Sequence, residues 1–164
     1  MTYSSRKTII SIILGLALIA AYIVFATNAN APAADDLKAW AVAILIFIGI
    51  AVVVQIVAAV LSRIVLDICI ALKEKRNGKT DKEIERIVEL EMKEDERDWT
   101  ISLKAMRLGY AFAGIGIVVS LIALAFLGAQ PLAALHIILG GVAIGSTAEG
   151  ALSVFYHERG ITNG

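Results

Sequence analysis

Hydrophobic positions along the chain collect into four long runs, at roughly 8–27, 39–62, 108–128 and 132–155, separated by polar breaks. A helix needs about 20 apolar residues to cross a ~30 Å hydrocarbon core, and each run is long enough. The pattern therefore predicts an all-α integral membrane protein with four transmembrane helices in a single domain, residues 1–164. The breaks differ in kind. TNANAPAADDLK follows the first run, a long charged segment follows the second, and only GAQP separates the third from the fourth.

The charged segment, residues 63–107, reads as a helical hairpin. Span two continues without Gly or Pro to Arg76, Asn77-Gly78 is a helix-stop signal, and Thr80 with Glu83 forms a capping box for a second arm. On that arm Ile84, Ile87, Val88 and Met92 recur at helical spacing, which predicts packing on Ile64, Ile68 and Leu72. With no Gly or Pro from 79 to 108, the arm is expected to run almost directly into span three. A docking surface for a partner and a solvated connector both fit such a hairpin.

Composition agrees with a membrane class: 59% of residues are hydrophobic and the mean hydropathy is +0.80. Lys plus Arg equals Asp plus Glu at 15 each, so no net field draws nucleic acid. The basic residues are unevenly placed. All but Lys38 lie near the N-terminus, between spans two and three, or near the C-terminus, so the positive-inside rule predicts a multi-pass cell-membrane protein with both termini and the hairpin cytoplasmic. Trp40 is expected at the outer interface, Trp99 and Tyr156 at the inner one. Arg6, Lys7 and the Ala29-Asn30-Ala31 triplet imitate a secretory signal. The run from Thr8 to Ala26 exceeds the usual ~7–15-residue signal core, and Pro32 follows the triplet, which favours a retained span. The lone Cys69 excludes an intrachain disulfide.

Candidate chemistry is confined to polar residues inside the spans, where each ionisable group is costly. Glu149 stands out. It shares a four-residue stripe with Ala133, Gly141, Gly145 and Ser153, a small-residue face of the kind that lets another helix approach closely. A tight turn near Gly128–Pro131 sets spans three and four antiparallel, which predicts Glu149 beside Tyr110, with Arg107 one turn away and Arg63 of span two at similar depth. An interhelical Arg–Glu pin is the expected outcome, and a proton-responsive carboxylate the alternative. His136 reads as an interfacial residue hydrogen-bonded to a carbonyl. His157 and Glu158 are adjacent rather than a turn apart, which disfavours a metal site. No HEXXH, phosphate loop, Ser/His/Asp set or zinc pattern occurs, so neither catalytic residues nor a cofactor nor a metal is expected.

Residues 94 to 110, EDERDWTISLKAMRLGY, resemble an uncharacterised family of small four-span prokaryotic membrane proteins that carry a D-E-R segment and then a Lys-Ala pair before the third span. The matching residues are Asp95, Glu96, Arg97, Lys104 and Ala105. The resemblance implies four helices and cytoplasmic termini. The function expected from all these features is a non-catalytic interaction, accessory or regulatory subunit, embedded in the lipid bilayer as a homo-oligomer or within a larger membrane complex. A proton-coupled small-solute transporter using Glu149 is the alternative.

Overall fold

The computed structural model describes residues 3–80, 82–83, 85–87 and 96–159. Four long helices contain most of them: α1 (Tyr3–Thr27), α2 (Leu37–Arg76), α3 (Glu96–Phe126) and α4 (Pro131–Arg159). All four are long and apolar enough to cross a membrane. At 1.5 Å per residue the 40-residue α2 is about 60 Å long, twice the hydrocarbon thickness, so it continues well beyond a membrane core.

Local signals set the helix ends. Asp36 accepts a hydrogen bond from the Ala39 N–H at 2.9 Å and starts α2. Its other end closes in a Schellman motif, with Gly78 at φ +78° and N–H groups of Gly78 and Lys79 donating to the Lys75 and Glu74 carbonyls. Thr80 then donates to Glu83 from both its backbone N–H and its hydroxyl, at 3.0 and 2.8 Å, which lowers the Glu83 pKa below the usual carboxylate range. Most of the expected second arm, including Ile84, Val88 and Met92, lies outside the described residues. Ile64, Ile68 and Leu72 are exposed on α2. The third hydrophobic run is the far part of the helix described over Glu96–Phe126. Gly128 at φ +61° turns the chain between α3 and α4, and Pro131 opens α4, where its missing N–H costs nothing.

By their main contacts the helices follow the lateral order α2, α1, α4, α3, with α2 also touching α4. The closest interface is α3 on α4, and glycine makes it so. A Cβ on Gly116 would lie 2.9 Å from the Gly141 Cα, and one on Gly145 would lie 2.5 Å from the Gly109 carbonyl oxygen. Ile101, Ala105, Gly109, Gly116, Ser120 and Ala123 form the buried face of α3. The Ser120 hydroxyl crosses to the Ala134 carbonyl at 3.1 Å. With no hydrophobic drive between helices in lipid, such close van der Waals packing and interhelical hydrogen bonds hold the pair together. Elsewhere large apolar side chains face outward, as a lipid solvent allows.

Polar side chains join the other helices. Ser11 of α1 donates to Gln55 Oε1 of α2 at 2.8 Å, and Gln55 Nε2 returns a bond to the Ser11 carbonyl at 3.2 Å. Ile12 of α1 packs against Gly150 of α4, and Ser5 donates to Glu158 at 3.0 Å. Near the interhelical loops His136 Nδ1 donates to the Leu132 carbonyl at 2.9 Å, matching the expectation for this residue. Its Nε2 is then the acceptor for the Tyr22 hydroxyl at 3.1 Å. Trp40, 5% exposed, stacks edge-on against His136 and Phe25, and its indole N–H donates to the Ala33 carbonyl.

The glycine seam makes a sharp contrast between neighbours. Gly141→Ala should destabilise the detergent-solubilised protein by about 1–3 kcal/mol, because the new Cβ meets backbone that has no rotamer to yield. Gly140→Ala, where a Cβ meets nothing within 4 Å, should be neutral or slightly stabilising. Thermal melts of the two variants check this, and equal effects would remove the seam's special role.

Candidate functional site

Between α1, α3 and α4, at the end of the bundle where α1 begins and α4 finishes, lies an open cavity of about 580 Å³. Its wall on α4 runs from Ser146 to His157, a depth of roughly 16 Å at 1.5 Å per residue. Lys7, Asp98, Trp99 and His157 stand toward the helix ends and form its mouth; Gly15, Gln55 and Ser146 lie at its inner limit. Glu149 sits between these levels. The cavity exists because α1 and α3 pack on different faces of α4, with at most marginal contact between them.

Glu149 is held over the bare backbone of Gly109. A Cβ at that position would fall 2.6 Å from Glu149 Oε2 and 3.3 Å from its Cβ, so only glycine leaves the carboxylate this place. Among the described residues no hydrogen bond or ion pair engages the carboxylate. The pin expected from the sequence is not formed. Arg107 and Arg63 are both exposed, and α2 stands on the far side of α1 from α3, which removes Arg63 from the α3–α4 seam. Tyr110 is 70% exposed and points away. The expected register was one residue off: Gly109 rather than Tyr110 opposes Glu149, and one residue turns a helix by about 100°. Gly141 and Gly145 do lie in the predicted close face, whereas Ser153 lines the cavity.

A second polar group stands at the mouth. His157 Nδ1 lies 2.7 Å from the Ser153 carbonyl, and Nε2 lies 3.1 Å from Asp98 Oδ1. The carbonyl only accepts, so Nδ1 carries a hydrogen; the Nε2–carboxyl contact then also needs a proton, on the imidazole or on the acid. Asp98 thereby ties the start of α3 to the end of α4. The His157 side chain is only 6% exposed.

Sequence reasoning did not bring Lys7, Ser11, Asp98 or His157 to the site, though it noted Gln55 as a polar amide within span two. A signal for His157 was present, because continuing the stripe Gly141, Gly145, Glu149, Ser153 by four residues reaches it. The complementary stripe on α3, Ala105, Gly109, Gly116 and Ser120, was equally visible as small residues on one face. Among the described residues no group of three or more His, Cys, Asp and Glu side chains is placed to hold a metal ion. What the site offers is a carboxylate without a fixed counter-charge, lining a space large enough for water and a small solute.

Accessibility of this carboxylate has a direct check. In a Cys69→Ser background, Glu149→Cys should be labelled by a membrane-impermeant thiol reagent applied to the side bearing the helix α1 start, and not from the opposite side. Protection from both sides would mean that the cavity is closed in the membrane.

No family model matches the chain, nor does any curated protein or solved structure, so the chemistry of this cavity is what bears on its function.

Proposed function

We propose that the protein is a small proton-coupled solute transporter in which Glu149 is the coupling carboxylate. The observation that carries this is the position of Glu149: it lines a water-sized and solute-sized cavity with no ion pair or hydrogen bond from the described residues. An intramembrane acid that served only to pin two helices would be satisfied by its neighbour. One that exchanges a proton for a solute needs open space beside it and no permanent counter-ion. Glu149 meets both requirements.

By the positive-inside rule, the distribution of basic residues supports a cytoplasmic cavity mouth, with both termini on the same side. In that orientation the cavity is open inward, and the Tyr22–His136–Trp40 cluster lies across the outer end. The interaction-subunit reading draws on the exposed apolar faces of α2, but lipid covers such faces equally well, and no feature on them specifies a protein partner.

Reconstituted into proteoliposomes with an internal pH dye, the wild type should dissipate an imposed pH gradient when a panel of small solutes includes its substrate. Glu149→Gln should abolish this coupled proton movement while changing thermal stability little. Equal proton movement in the Gln variant, or a large loss of stability with transport intact, would return Glu149 to a structural role.

A further inference from the structure

The chemistry around Glu149 narrows the class of solute. Six hydroxyl side chains line the cavity, and three of them, Ser11, Ser146 and Thr147, have already committed their protons. Ser146 and Thr147 both donate to the Ala143 carbonyl, at 3.1 and 2.8 Å. Ser11 donates to Gln55 Oε1 at 2.8 Å. A carbonyl oxygen only accepts, so in each case the direction is fixed, and what these hydroxyl oxygens turn toward the cavity is lone pairs. Ionised Glu149 adds two more acceptor oxygens and, among the described lining residues, the carboxylate away from the mouth. The Asp98 carboxyl lies against His157. Both nitrogens of His157 are occupied, by Ser153 and Asp98, and so offer no hydrogen to a solute. The donors that also line the cavity are the second N–H of Gln55, the Ser102 and Ser153 hydroxyls, the Trp99 indole N–H and the Lys7 ammonium, the last two toward the mouth.

A surface rich in acceptors around one carboxylate recognises a cation that carries N–H donors. We propose that the cavity is a binding site for small protonated primary amines, the ammonium group sitting on Glu149 and Ser146, with the Ser11 and Thr147 oxygens farther along the same wall. An ammonium presents three donors on a compact charge and matches this set; a quaternary ammonium of the same charge presents none. An anion would face repulsion from Glu149. A bare metal ion fits poorly, since a cavity of about 580 Å³ greatly exceeds a dehydrated ion, and no cluster of three metal-ligating side chains exists among the described residues. The proposal rests on Glu149 as the coupling site and adds to it a simple exchange: the carboxylate holds either a proton or an ammonium, and binding one releases the other.

Binding of radiolabelled methylammonium to the purified wild-type protein in detergent tests this, with competition by tetramethylammonium, sodium and acetate. Methylammonium should bind saturably, resist a hundredfold excess of each competitor, and bind less as acidification loads Glu149 with a proton. Glu149→Gln should remove the binding. Ser146→Ala combined with Thr147→Val should weaken it by roughly 3- to 10-fold, as expected for lost hydrogen bonds, while Trp40 fluorescence and thermal stability stay at wild-type values. Absence of saturable binding, effective competition by tetramethylammonium or sodium, or an unchanged affinity in the double variant would overturn the assignment. Methylammonium that binds but moves no protons in proteoliposomes would sink the transport reading and leave the amine site standing. A different solute that moves protons through Glu149 while methylammonium fails to bind would do the reverse.

Discussion

The backbone contact of α3 with α4 is the constraint on which the rest of the structure depends. At Gly116 and Gly141 the two helices are too close to admit a Cβ on either side; at Gly145 a Cβ would meet the Gly109 carbonyl, and at Gly109 it would meet the Glu149 side chain. Such a contact has one register. It fixes Gly109 opposite Glu149, and it leaves the acid over a surface with no side chain to pair with it. Any larger residue at 109 would either displace the carboxylate or spread the helices.

From that contact the cavity follows by helix geometry. Gly145 turns toward α3 and Gly150 toward α1, where Ile12 packs on it. At about 100° per residue these two faces are roughly 140° apart around α4. Ser146, Glu149, Ser153 and His157 all fall within the sector between them, the sector that neither neighbouring helix covers. Small residues bring α1 and α3 close to α4, but on separate faces, so the polar residues between those faces border open space. Glycine at 145 and at 150 thus makes both the tight packing and the gap.

This accounts for what was legible in the sequence and what was not. Hydrophobic runs and stop signals at Asn77-Gly78 and Gly128–Pro131 foretold the four helices, because backbone satisfaction in lipid leaves a helix little alternative. The α4 stripe of Gly141 and Gly145 foretold a close contact. The partner of Glu149 was beyond reach for two physical reasons. A turn of uncertain length shifts the register by one residue, which is enough to exchange buried Gly109 for outward Tyr110. Lateral order is not written in helix periodicity either: Arg63 seemed near because the depths matched, yet α2 packs on the far side of α1. Arg107 had the right depth and the wrong face.

The lateral order also divides the molecule in a way that bears on transport. Helices α1 and α2 are joined by the reciprocal Ser11–Gln55 bonds, and α3 and α4 by the glycine seam, so each hairpin is a unit with its own interior ties. Between the hairpins the main contact is α1 on α4, narrow at Ile12–Gly150 and closed near the loops by Tyr22 on His136. For the proposed transporter, alternating access would require the loop end to open as the cavity mouth shuts. A rocking motion of one hairpin on the other, about the α1–α4 contact, achieves this while preserving every bond inside each hairpin. The Tyr22–His136 bond and the Trp40–His136 ring contact link the two hairpins, so under the proposed transport these are the interactions at the loop end that would break.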